Sequence, residues 1–232
     1  MKDGAANAIV ASARPASAVS PSRGRRALLI AIGAGLLAMS VEASAEEPAA
    51  AATVSAPIRA FYDALLDVMK RAKALGIKGR YDALAPVVDA TFDLPAMTRI
   101  AVGPRWTSLP KDVQSALVDA FSRMTIATYA SRFDGYSGER FEVDPSVESR
   151  GSGSIVHTRI VQPKGDPVAL DYLMRKSADR WKAVDVYLTG SISELATRRS
   201  EFNSILDSGG PQALLQSLRQ QTERMLQGAP GG

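Results

Sequence analysis

The chain has 232 residues, with 28 Lys and Arg against 24 Asp and Glu, no cysteine and one histidine, His157. That composition excludes disulfides, thiol nucleophiles and Cys-ligated metals. It also leaves a Ser-His-Asp triad or a multi-histidine metal site almost nothing to draw on. No metal and no cofactor are expected.

At the N-terminus Arg23, Arg25 and Arg26 precede an apolar run, Ala27–Val41, and small residues follow at Ala43 and Ala45. This is the layout of a secretory signal with an A-x-A cleavage site, and the run is short for a membrane span. Residues 1–45 are expected to be a signal peptide; the alternative is an uncleaved anchor. The surroundings of Arg25-Arg26 fit a twin-arginine signal poorly, so general secretion is the expected route. That segment holds five of the basic and two of the acidic residues, leaving 23 against 22. A nearly neutral mature chain without a basic, aromatic-interleaved stripe makes nucleic acid a poor partner. Exported, cysteine-free and poor in catalytic residue types, the chain reads as a periplasmic binding or carrier protein.

Residues 46–56 are Ala-rich and unpatterned and are expected to be a flexible tether; 57–227 form one domain and 228–232 a Gly-rich tail. From Ile58 the apolar positions Phe61, Leu65, Val68, Ala72 and Leu75 alternate steps of three and four, an amphipathic helix ended by Gly76 and Gly79. Two shorter helices follow, the second with Pro95 in its first turn. Pro110 starts the clearest helix, whose face carries Val113, Leu117, Phe121, Met124 and Thr128.

Beyond Asp134-Gly135 the period falls to two. Runs at Arg140–Asp144, Ser154–Gln162, Val168–Ser177 and Trp181–Gly190 are separated by turn residues, so the last three are expected to form an antiparallel meander. Two helices, about 194–207 and 211–226, close the chain around Gly209-Gly210-Pro211. The fold expected is α+β, with helices on one face of a roughly four-stranded antiparallel sheet. On that sheet Leu170, Tyr172 and Met174 share a face, as do Val184, Val186 and Leu188. Periodicity alone does not separate a filled core from an apolar cavity, and taken alone it favours the core. His157 is read as a surface sheet residue.

Three stretches carry a family resemblance: Ala101–Trp106 ("AVGPRW"), Ala116–Val143, with its "F…TYA" and "Y.GE" elements, and Trp181–Leu206 ("WKAVDVYLTGSISELATRRSEFNSIL"). Together they resemble the MlaC and toluene-tolerance family of periplasmic lipid carriers over roughly residues 57–226, and within it the hopanoid-associated HpnM branch. Commoner members carry a tyrosine before the arginine of the "R.EF" element. The family arginine thus falls on Arg199, and Arg198 inherits no role.

The resemblance implies a shuttle that holds a lipid, hopanoid or phospholipid, by its tails in a pocket between sheet and helices. It also implies exchange with membrane-bound transporter complexes. Two sixteen-carbon tails left in water would cost on the order of 25 kcal/mol at ~0.8 kcal/mol per methylene, which a dry cavity must offset. The lining expected is Leu65, Val102, Phe121, Met124, Tyr129, Leu170, Tyr172, Met174, Val184, Val186 and Leu188. No catalytic residue is assigned. The competing readings are an enzyme drawing on Asp171, Asp185 or His157, and an adaptor that binds only proteins, docking through Leu214, Leu218 and Met225. Finally, Leu195, Arg199, Phe202 and Leu206 make an inward helical stripe, so Arg199 is expected to pair with Asp185, or make an equivalent bond, and pin helix to sheet.

Overall fold

The computed structural model describes residues 46–228; the signal-peptide segment lies outside them. Helices α1 (Glu46–Lys70), α2 (Ala72–Thr91) and α3 (Leu94–Val102) lead through a 3-10 turn, Gly103–Ser108, into α4 (Lys111–Arg132). Strands β1 (Arg140–Arg150), β2 (Gly153–Val161), β3 (Val168–Ser177), β4 (Arg180–Leu188) and β5 (Ile192–Ser193) follow, and α5 (Glu194–Leu226) closes the order. The strands form one antiparallel sheet in the order β1-β2-β3-β4-β5. The fold is α+β, as the patterning implies, with five strands rather than four. The fifth has two residues, too short to show alternation.

Residues 46–56 are not a tether. They form the first turns of α1, and Ala51, Val54 and Ser55 are buried. An Ala-rich stretch has high helix propensity and little pattern, which is why it reads as featureless. The C-terminal pair of helices is continuous except at Gly210, whose φ of 68° breaks the ladder just before Pro211. Leu214, Leu218 and Met225 are buried in the chain's own core rather than offered to a partner.

One sheet face is covered by helices. Val156, Thr158 and Ile160 of β2 and Val168, Leu170, Tyr172 and Met174 of β3 are all buried, while Arg159, Arg175 and Lys176 are exposed. The corner between α2 and α3 is tied to β4 through the main chain: the Asp93 amide donates to the Ala183 carbonyl (2.9 Å), and Phe92 bridges Ala183. Lys182 Nζ adds a bond to the Asp89 carbonyl at 2.7 Å. Across the helical layer, buried Arg80 donates from Nε to the Ala130 carbonyl (2.7 Å) and from Nη1 to the Ala72 carbonyl (3.1 Å). Ala130 lies in the last turn of α4, where carbonyls lack helical partners, and Ala72 lies four residues before the break at Gly76. One guanidinium therefore satisfies two interrupted helices at once.

The pairing of β3 with β4 contains a bulge. Leu173 faces Asp185 but Met174 faces Ala183, so Val184 is the extra residue and Ala183 takes the inward register. Asp185 is buried at this point. Its Oδ1 accepts from the amides of Val186 (2.8 Å) and Leu195 (3.1 Å), and its Oδ2 accepts from Ser193 Oγ (2.6 Å). The expected bond from strand to helix exists, but Arg199 does not make it. Arg199 is exposed, and a Cβ at Gly103 would come within 3.4 Å of its Nε. With φ of 73°, Gly103 is held to glycine by its backbone. At about 100° per residue, Arg199 and Arg198 fall on opposite flanks of the Leu195–Phe202–Leu206 stripe. Packing turns the Arg198 flank inward.

Asp185→Ala orphans two buried amides and a hydroxyl, and is expected to cost about 2–3 kcal/mol of unfolding free energy. Arg199→Met, at an exposed position, should stay within about 0.5 kcal/mol of the parent. Urea denaturation of both variants measures the difference.

Candidate functional site

A pocket of about 110 Å³ lies between the sheet and the helices. Ile160, Leu170, Tyr172, Val186 and Leu188 form its sheet wall. Phe61, Tyr62 and Leu65 of α1, with Phe92 and Met97, line it too. Helix α4 contributes Phe121, Met124, Thr125, Thr128, Tyr129 and Arg132, and α5 contributes Glu194, Leu195 and Arg198. The α4 residues recur at helical spacing because a single face of that helix borders the pocket.

The floor is aromatic. Phe61 meets Tyr129 and Phe92 edge-on, with ring centroids 5.0 Å and 5.3 Å apart, and Phe92 stacks on Tyr129 at 5.8 Å. Such offset and edge-to-face contacts hold the rings in place without polar atoms. Where hydroxyls are buried they bond one another: Tyr62 Oη lies 2.6 Å from Thr158 Oγ1 and 3.0 Å from Tyr172 Oη. Thr158 in turn donates to the Leu170 carbonyl at 2.6 Å. Burial pushes the Tyr62 phenol up to about 12 and carries Tyr172 and Tyr129 well above the usual phenol range, so all three stay neutral. On α4, Thr125 and Thr128 donate to the carbonyls of Phe121 and Met124, four residues back. Both hydroxyls are therefore satisfied by their own helix, and Thr128 Oγ1 also lies 3.5 Å from Met225 Sδ of α5.

The open side of the pocket is the half-buried set: Thr125, Thr128, Tyr129 and Arg132 on α4, Leu188 at the end of β4, and Glu194 and Arg198 on α5. Apolar and aromatic side chains thus share one cavity with the charged Arg132, Glu194 and Arg198.

Eight of the eleven residues expected to line a cavity do so: Leu65, Phe121, Met124, Tyr129, Leu170, Tyr172, Val186 and Leu188. The other three do not. Val184 is displaced by the bulge, which breaks the alternation that placed it beside Val186. Met174 points inward but pairs with Ser154 and Ala183 at the far end of the sheet, and Val102 is buried at the end of α3. Of the residues not foreseen, Phe61 was visible in the α1 stripe and Ile160 in the alternation of β2. Phe92, Glu194 and Arg198 carry no periodic signal. Their placement follows from the α2–α3 corner and from the rotation of α5. Asp171, Asp185 and His157, on which an enzyme would have to draw, do not border the pocket.

An antiparallel sheet covered by helices, with an aromatic-lined pocket between the layers, defines the class: an α+β fold with one candidate ligand cavity described between its layers. The MlaC protein family model matches residues 59–220, and the chain belongs to the MlaC family. Among solved structures, the chain is similar to the phospholipid-binding protein of Ralstonia solanacearum, determined in complex with a phospholipid. The TM-score is 0.65 and the identity 22%, over 74% of this chain and 98% of that one. No curated protein matches the chain.

On the outer face of the sheet, His157 Nδ1 lies 3.0 Å from Asp171 Oδ1 and its Nε2 lies 3.5 Å from Glu148 Oε2. Partial burial pulls the imidazole down, but the two carboxylates outweigh it and hold its pKa above the usual value. A raised folded-state pKa contributes stability that is complete below about 6.5 and is lost as pH rises through the folded value. His157 is the chain's only histidine, so a ring-proton NMR titration reads it directly. The midpoint should lie above 6.5 in the parent and fall in Asp171→Asn.

Proposed function

We propose that this protein is a periplasmic lipid shuttle that carries hopanoid or phospholipid between inner- and outer-membrane partner complexes. The observation that carries the reading is the pocket itself, whose buried lining is apolar or self-bonded and whose half-buried residues include Arg132, Glu194 and Arg198. A lipid fits that gradient tail-first, leaving its headgroup at the mouth. Membership of the MlaC family and likeness to a phospholipid-bound structure support the same reading. So does the N-terminal sequence, with its basic cluster, apolar run and A-x-A site.

The volume sets a condition. A cavity of about 150 Å³ holds benzene, so one of about 110 Å³ must widen to admit an acyl chain. Met97 and Met124 on its wall suit that change, because an unbranched thioether repacks at low cost. Each methylene moved from water into the widened pocket contributes about 0.8 kcal/mol.

Organic-solvent extraction of natively purified protein, followed by mass spectrometry, is expected to release lipid. Absence of lipid from both that sample and one incubated with lipid overturns the proposal. Thr125→Trp fills the pocket from its half-buried side. It is expected to lower bound lipid per protein severalfold while costing at most about 1–3 kcal/mol of stability. Comparing the extracted lipid with the Tm of the same preparation separates blocking from unfolding.

A further inference from the structure

The end of the sheet away from the pocket carries charge that the chain does not balance. Strand β3 borders the cavity at Leu170 and Tyr172 and runs on to Ser177, and β4 returns from Arg180. At about 3.3 Å per residue, that turn lies on the order of 20 Å along the strand from Leu170. Residues 175–182 read Arg175-Lys176-Ser177-Ala178-Asp179-Arg180-Trp181-Lys182, with Asp179 the one acidic residue. Arg175 stands directly opposite Lys182, and Ser177 opposite Arg180. Arg150 adjoins them through its register partner Gly153, where a Cβ would come within 3.2 Å of Arg175 Cγ.

Arg150, Arg175, Lys176 and Arg180 are all exposed. Among the described residues none of the four enters an ion pair. Two of them lean on rings: Lys176 Nζ lies 5.7 Å from the Trp181 ring centre, and Arg150 Cζ 5.4 Å from that of Tyr187. A ring attracts a cation without cancelling its charge. Lys182 differs, since its Nζ is held by the Asp89 carbonyl. Like charges directly opposite one another destabilise a strand pair, and no carboxylate of the chain offsets that cost here.

We propose that the β3–β4 tip, with Arg150 beside it, is a docking surface for the anionic headgroups of a lipid bilayer. This goes beyond the pocket reading and does not rest on it. Residues 46–232 hold 23 basic and 22 acidic side chains, so attraction to an anionic surface depends on where the charges sit rather than on their sum. Arg175 and Lys176 are neighbours in a strand and project to opposite faces of the ribbon. Cations spread around a projecting turn suit a continuous layer of charge, whereas a single acidic peptide meets one face. Docked by this end, the protein keeps the pocket wall at Leu188 clear of the bilayer on which it rests.

Vesicle flotation tests the assignment. The protein is mixed with vesicles of phosphatidylcholine alone, or of equal parts phosphatidylcholine and phosphatidylglycerol, and the floated fraction is measured against lipid concentration. The parent should partition onto the anionic vesicles, and less so as salt rises. Each basic side chain near an anionic leaflet corresponds to roughly fivefold in partitioning, so Arg175→Gln/Lys176→Gln/Arg180→Gln should lose on the order of a hundredfold. Arg175→Lys/Arg180→Lys should bind like the parent, because a layer of charge does not read the guanidinium fork. Lys73→Gln/Arg123→Gln/Arg219→Gln removes as much charge from exposed helical positions and should also float like the parent. All variants share one N-terminus, so its basic cluster and apolar run cancel in the comparison. Equal loss in the helical and tip variants overturns the proposal, as does a parent that ignores anionic vesicles at every salt concentration. Binding of a polyglutamate peptide by such a parent, lost in the tip variant, assigns the tip to an acidic protein segment instead. Lipid extracted from the protein that stays unfloated reads the pocket separately, and its absence bears on the carrier reading alone.

Discussion

The geometry of the pocket depends on one buried carboxylate. Asp185 sits where a strand bulges, where a two-residue strand turns back and where the long C-terminal helix begins. It accepts from an amide on each side of that turn and from the Ser193 hydroxyl. Ser193 itself caps the helix by accepting from the Ala196 amide at 2.9 Å. A carboxylate near a helix N-terminus also opposes the positive end of the helix dipole. The result is a fixed exit angle, which lays Leu195 and Arg198 along the pocket and turns Arg199 away from it.

The pocket lining meets a second constraint. Any unpaired polar group there would demand water, and water would compete with an apolar occupant. The structure answers in two ways. Tyr62, Tyr172 and Thr158 bond one another and a strand carbonyl, and the threonines of α4 turn their hydroxyls back on their own helix. The rest of the buried lining is ring, methyl and thioether. Polar residues are thus frequent along the pocket wall but scarce as available polar contacts.

Much of this was legible in the sequence. The change of period after Asp134, Pro95 and Pro110 at helix starts, and Gly209-Gly210-Pro211 between the last helices each correspond to an observed boundary. The inward residues of β3 and most of the α4 face were likewise readable, because alternation and helical spacing decide them directly. Val184 was not, since a bulge shifts register by one and leaves no mark in composition. Nor was the partner of Asp185. A carboxylate satisfied by amides has no charged signature elsewhere in the chain, so an arginine on the inward stripe looked the natural mate. Residues 46–56 were missed for the opposite reason: alanine favours helix without a pattern to reveal it.

The cavity's two sides are built from different kinds of attachment. The α2–α3 corner is stitched to β4 by main-chain hydrogen bonds and by Lys182 reaching the Asp89 carbonyl. The seam between α4 and α5 instead relies on side-chain packing, such as Phe121 against Phe202 with ring centroids 5.9 Å apart. Hydrogen bonds between backbones break sharply when stretched, whereas apolar side chains slide and change rotamer at small cost. Stiffness is therefore unequal around the pocket. One wall acts as an anvil and the other as a compliant jaw, and the compliant side is the one that carries the two mouth arginines.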